Sequence, residues 1–233
     1  MLKPLGQWAL AAGLTLTSLT ATQVMANELN TEEARTGYSL GVMVGRQLHE
    51  DIDQLDIESF TLALQDIYAG NTPRLNDEQI GEIINALQER LMEESMARHQ
   101  QVAQTNLERG QAYLAENAQR DGVQTLDSGL QYEVVRAGDG ARPSATDQVQ
   151  VHYEGRLVNG EVFDSSYTRN QPASFRVNQV IQGWQEALQL MPVGSEWMIY
   201  IPAELAYGSN GAGGAIGPNE ALVFKVELLD ITR

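Results

Sequence analysis

The chain has 233 residues, 42% of them hydrophobic, with a formal net charge of −16 and no cysteine. The length fits one or two domains, and so acidic a chain is repelled by phosphate backbones and anionic lipid surfaces, which makes nucleic acid a poor partner. Without cysteine there is no disulfide, no thiolate nucleophile, no cysteine-held metal and no lipid anchor on an N-terminal cysteine.

Residues 1–26 read as a secretory signal peptide. Lys3 is their one charge, WALAAGLTLTSL (8–19) forms an apolar core, and TATQVMA closes on small residues. That core is too short to cross a bilayer, and no later segment is long and apolar enough to do so. The expected location is across the inner membrane, in the periplasm, with association to the outer membrane or cell surface left open.

Residues 27–75 read as an N-terminal helical segment. Thr31 caps a first helix whose opening turn carries Glu32 and Glu33. Gly37, Gly41 and Gly45 fall on one face of it. Each isolated glycine costs a helix about 1 kcal/mol, so three on one stripe suggest close packing of a partner helix. A second helix from Asp56 carries Ile57, Phe60, Leu64 and Ile67 as an apolar stripe, and Gly70-Asn71-Thr72-Pro73 ends it.

Residues 76–122 read as one long connecting helix. Asn76 and Gln79 form a capping box, and Ile80, Ile84, Leu87 and Leu91 make a seam. After Met96 the seam fades, as in a solvated bridge, with Glu94–Arg98 and Glu116–Arg120 as i, i+4 pairs. At 1.5 Å per residue such a helix reaches roughly 65 Å, the length of a spacer between two working parts. Gly110 is a candidate kink.

Residues 123–233 switch to strand periodicity. LQYEVVR, DQVQVHYEGRL, SEWMIYIP and ALVFKVELLDI alternate or run apolar between turns. Asn159-Gly160 joins two strands, and one short helix starts near Asn178 and covers VIQGWQEALQL. The fold class is α+β: an antiparallel sheet wrapped over one short helix, preceded by an all-α segment and the long helix.

Familiar chemistries find little support. His49, His99 and His152 lie in three separate regions, and His152 belongs on the outer sheet face. Asp51-Ile52-Asp53 opens like a calcium loop, but Leu55 and Leu62 occupy ligand positions. GSNGAGGAIGPN (208–219) lacks the lysine and the following helix of a phosphate loop, and no GxSxG motif is present. Neither a metal nor a cofactor is expected. What remains is an apolar set, Tyr153, Phe163, Val180, Ile181, Trp184, Tyr207 and Phe224, which either fills a core or lines a pocket. Trp184, at the start of a helix that follows a strand, is the residue that separates the two.

VHYEGRLVNGEVFDSSYTRNQPASF, VIQGWQEALQLMPVGSEW, IPAELAYG and LVFKVELLDI, in that order, resemble the FKBP-type peptidyl-prolyl cis-trans isomerases. The signal peptide, the two-helix segment and the long helix resemble the macrophage infectivity potentiator (Mip) group within them. The resemblance implies Trp184 as the floor of a proline pocket, Tyr153, Phe163 and Phe224 as walls, and Val180 and Ile181 on the rim. It implies that the Ile181 N–H holds a ligand carbonyl and that Tyr207 donates from the mouth. It places Asp164 at the edge, positioned by Arg169 and Tyr153, and brings Ile216 and Ala173 to the substrate. Asp164, Tyr153, Phe163 and Tyr207 are the residues it marks as catalytic. Ala173 replaces a pocket-edge aromatic of the wider family and Gly217 a loop proline, which bears on side-chain preference rather than on the reaction.

The implied partners are proline-containing peptides and unfolded clients, a second copy bound through the N-terminal helices, and macrolide inhibitors such as rapamycin and tacrolimus. A chaperone that holds unfolded chains, with isomerisation incidental, is the rival expectation.

Overall fold

The computed structural model describes residues 29–52 and 54–232. The predicted signal peptide and Asp53 lie outside the described residues. The chain divides into two units, one through Arg74 and one from Leu75 onward.

In the first unit, helix α1 (Glu32–Asp51) begins where the Thr31 hydroxyl accepts from the Ala34 N–H at 3.1 Å. Helix α2 (Ile57–Tyr68) begins where Asp56 accepts from the Ser59 N–H at 2.9 Å. Neither helix buries a single residue. Leu40, Val44, Phe60, Leu64 and Tyr68 instead line an open apolar groove of about 840 Å³, together with Gly37, Gly41 and Gly45. A Cβ added at any of those three glycines would meet nothing within 4 Å.

The second unit opens with α3 (Asp77–Asn117), whose capping box forms as the sequence predicts: Asn76 accepts from the Gln79 N–H at 2.8 Å, and Gln79 accepts from the Asn76 N–H at 3.1 Å. The predicted charge pairs along it do not form. Glu94 lies 3.8 Å from Arg90 rather than pairing with Arg98, and Arg120 turns to Glu133 of the sheet at 3.1 Å rather than to Glu116. A cation that can reach a half-buried carboxylate on a neighbouring element gains more than from an exposed neighbour on its own helix.

Seven strands follow: β1 (Val123–Thr125), β2 (Gln131–Arg136), β3 (Gln148–Leu157), β4 (Val162–Ser165), β5 (Ala173–Arg176), β6 (Glu196–Ile201) and β7 (Leu222–Thr232). They form one antiparallel sheet in the order β1-β2-β6-β7-β3-β4, with β5 also on β3. β7 flanks β3 along its whole length. On the other side of β3, β5 pairs with 148–151 and β4 with 154–156. Strict alternation in β3 sends Val149, Val151, Tyr153 and Leu157 inward, and Gln148, Gln150, Glu154 and Arg156 outward. The inward set packs on α4 (Gln182–Leu190), which buries Trp184, Ala187 and Leu188. This helix starts at Gln182, later than its sequence suggests, because Val177–Gln179 form a 3₁₀ turn and Val180 is extended at φ −102°, ψ 174°.

The polar half of α3 is not a free bridge. Asn106, Gly110 and Asn117 are buried. Asn117 donates to Gln131 Oε1 at 2.8 Å, while Gln131 Nε2 donates to the Leu114 carbonyl at 2.9 Å. Gly110 lies so close to the segment entering β7 that a Cβ on it would sit 2.9 Å from the Ala221 Cβ. Its role is close approach, and α3 runs through it as one helix.

Candidate active site

The β3–β4 hairpin builds the first wall. Asn159-Gly160 turns it, with Gly160 at φ 91° and the Glu161 N–H donating to Asn159 Oδ1 at 2.9 Å. Beyond the turn, Phe163 stands edge-on to Phe224 of β7, with ring centroids 5.5 Å apart. Gly155 beneath them has no room for a side chain: a Cβ would lie 2.6 Å from both rings. Trp184, 4% exposed, is the hub. Its ring meets Tyr153 at 5.4 Å, Phe224 at 5.3 Å and Phe175 at 5.8 Å, all edge to face. Such contacts each add about 0.5–1.5 kcal/mol beyond burial and fix ring orientation.

The five rings do not close on themselves. They surround a cavity of about 310 Å³ that is also lined by Asp164, Gln179, Val180, Ile181 and Tyr207. Trp184 both lines this cavity and belongs to the buried core beneath it, so the two readings open for it are not exclusive. Phe175 and Gln179 are lining residues that sequence reasoning did not single out. Alternation along β5 puts Phe175 on the same face as Ala173, opposite Val149. Three of the residues singled out lie outside the lining. Ala173 sits on β5 opposite Val151. Ile216 is 8% exposed and pairs with Ala212 in the loop before β7. Arg169 reaches Asp164 and Tyr153 from outside the cavity.

Asp164 is fully engaged. One carboxylate oxygen accepts from the Tyr153 hydroxyl and the other from Arg169. Arg169 also donates to the Tyr153 hydroxyl at 2.9 Å. Burial pushes the Asp164 carboxyl up, but the hydrogen bonds from Tyr153 and Arg169 and the guanidinium charge together outweigh it and hold the group below the usual carboxylate range. Tyr153 is raised, first by burial and then by its bond to Asp164. Near neutral pH the site therefore holds a carboxylate and a neutral phenol, with no base free to take a proton. Two donors remain open: among the described residues, neither the Tyr207 hydroxyl nor the Ile181 N–H at the start of α4 meets a protein acceptor.

The family model for FKBP-type peptidyl-prolyl cis-trans isomerases matches residues 140–229, which hold the whole cavity, and the model for the domain amino-terminal to such isomerases matches 33–134. The chain is an FKBP-type peptidyl-prolyl cis-trans isomerase. The isomerase is 42% identical over 208 residues to the peptidyl-prolyl cis-trans isomerase Mip of Coxiella burnetii, which covers 89% of this chain and 90% of that protein. It is 39% identical over 217 residues to the outer membrane protein MIP of Legionella longbeachae, covering 93% and 92%. The crystal structure of FkpA from Escherichia coli superposes on it with a TM-score of 0.74 at 37% identity, covering 87% of this chain and 98% of that one.

Proposed function

We propose that the isomerase rotates Xaa-Pro bonds inside the five-ring cavity, on secreted or periplasmic protein clients. The observation that carries this reading is an aromatic cavity whose one carboxylate is already hydrogen-bonded through both oxygens. Rotation about an Xaa-Pro bond breaks no covalent bond, but it faces a barrier of about 18–20 kcal/mol because twisting destroys amide resonance. The twisted amide has less charge separation than the planar one, so an apolar enclosure penalises it less. Catalysis is then differential binding of the distorted form. Lowering the barrier by about 5 kcal/mol would accelerate rotation nearly 10⁴-fold.

Each residue has a part in this reading. Trp184 supports the proline ring, with Tyr153, Phe163, Phe175 and Phe224 around it. The Ile181 N–H holds the carbonyl of the bound chain, and Val180 shapes the rim. Tyr207 donates from the mouth. Asp164, fixed by Arg169 and Tyr153, supplies a local field rather than a proton. Ala173 and Ile216 bear on the neighbouring side chains of the substrate through the edge strand and the loop. A macrolide such as rapamycin or tacrolimus would compete for the same enclosure.

The groove on α1 and α2 supports a homodimer. Two helices that bury nothing cannot form a core alone, and a second copy offers the matching apolar face. Two tethered cavities would raise each other's effective concentration on one client. The leader-like residues 1–26 and the name of the Legionella relative support a place in the cell envelope. No described helix is long and apolar enough to cross a membrane. The pairing itself favours a second reading, in which the dimer also holds unfolded chains between its two cavities as a chaperone.

The deciding experiment is the cis-to-trans rate of a short Xaa-Pro peptide with wild type and Phe163→Ala. The expected result is strong acceleration by the wild type and a loss of roughly tenfold or more in the variant. An equal rate in a folded variant would move the site elsewhere. Suppression of client aggregation by the same variant separates holding from isomerisation.

A further inference from the structure

The loop 207–221 begins with Tyr207 at the mouth of the cavity and carries Ile216 over the core. It is fastened to α3, which lies before the stretch matched by the isomerase family model. Asn106, 6% exposed, donates from Nδ2 to the Pro218 carbonyl at 2.9 Å. The next residue, Asn219, adopts the left-handed conformation at φ 55°. Its N–H donates to the Gly208 carbonyl at 2.8 Å, and its side-chain amide reaches the Ala103 carbonyl of α3 at 3.4 Å. Gly208 is bonded directly to Tyr207. A short path therefore runs from Asn106 through Pro218 and Asn219 to the carbonyl of Gly208, the residue that follows Tyr207. Space along it is tight: a Cβ on Gly217 would lie 3.1 Å from Asn106 Nδ2, and one on Gly110 would press on Ala221. Gly217 thus leaves room for the asparagine amide.

We propose that Asn106 is a positioning residue of the isomerase: α3 holds the loop, and through it Tyr207, in the arrangement that serves the bound chain. This rests on the cavity being the site of isomerisation. The loop is rich in glycine, with Gly208, Gly211, Gly213 and Gly214 at positive φ, and has little intrinsic preference for one shape. A buried amide donor on a long helix supplies that preference. Pro218, without an N–H of its own, presents its carbonyl to it.

The test uses the full chain and the kcat/KM for an Xaa-Pro peptide, in a cycle with Tyr207→Phe. Asn106→Asp keeps the shape but sets an acceptor against the Pro218 carbonyl. It should lower kcat/KM by up to roughly threefold and speed hydrogen exchange at the Asn219 amide. Tyr207→Phe alone should cost roughly threefold, and the double variant no more than the worse single, because a misplaced hydroxyl has nothing left to lose. Gly110→Ala, which separates the helix from the loop by bulk instead of by charge, should repeat the result and carries the test should Asn106→Asp fold poorly. A purely structural asparagine would shift thermal unfolding while the two activity losses multiplied, and that outcome overturns the proposal. Wild-type kcat/KM in both Tyr207→Phe and Phe163→Ala would overturn the site reading itself, and the positioning role with it.

Discussion

Asp164 stands at the mouth of an apolar cavity with both oxygens occupied by Tyr153 and Arg169. In the proposed mechanism its influence on a twisted amide is that of a fixed charge, so Asp164→Ala should lower kcat/KM only about 3- to 10-fold while the rings stay in place. Complete loss of activity in a folded variant would give the carboxylate a larger role. Its folded pKa is depressed, so what it contributes to stability and to the site is present above the ordinary aspartate range and is lost only as pH falls through the folded value. The rate should stay level from neutral pH down to that range, as a pH profile will check. Glu220 is the opposite case. Burial raises its carboxyl, partly offset by the Arg109 charge, and its Oε2 makes no hydrogen bond among the described residues. The folded state binds its proton more tightly than the unfolded chain does, so its contribution to stability is highest in acid and is lost as pH rises through the folded value. Glu220→Gln should raise the unfolding temperature at about pH 7, and the gain should vanish near about pH 4, which melting curves at the two pH values will read.

Among the elements, α4 lies closest to the sheet. A Cβ on Gly183 would fall 2.4 Å from Ile201 Cγ2, and Ile201 is fully buried. Alanine would gain about 1 kcal/mol of helix propensity, but overpacking costs about 1–3 kcal/mol. Gly183→Ala should therefore destabilise the protein by up to about 2 kcal/mol net, measured by denaturant unfolding. The elements also differ in how plainly the sequence declares them. β3 and β7 alternate apolar and polar residues, so their inward faces could be read directly. So could both caps of α1 and α3. The buried stripe in the second half of α3 could not, because it consists of Asn106, Gly110 and Asn117. A face made of amides and a glycine leaves no hydrophobic period, and only the partners on the sheet reveal it. In the cavity, long aromatic motifs made Trp184, Tyr153, Phe163 and Phe224 legible. Phe175 was hidden in β5, a four-residue edge strand too short to establish a period.

At the scale of the whole molecule, the first unit leaves an apolar face uncovered among the described residues. Tyr38, Leu40, Met43 and Tyr68 are each more than half exposed, and the glycine stripe between them is open. If a second copy covers this face, Gly41→Leu should fill the space that its helix would occupy. The variant should sediment as a monomer while keeping its rate on a short peptide, since the cavity lies in the other unit. An unchanged sedimentation mass would place the interface elsewhere.

The position of β7 has a consequence for how the molecule comes into being. It is the last strand of the sheet in chain order, yet it lies in the interior, between β6 and β3, and carries Phe224 into the cavity. Synthesis and threading through a membrane channel both deliver a chain from its N-terminus. Until residues 222–232 emerge, β3 and β6 have no common neighbour, and the apolar faces of both wait uncovered. The sheet cannot close on a nascent chain until that segment is delivered. Folding then follows in one late step of long-range pairing. The prolyl isomerase is, by its own topology, held open until the last of its strands has arrived.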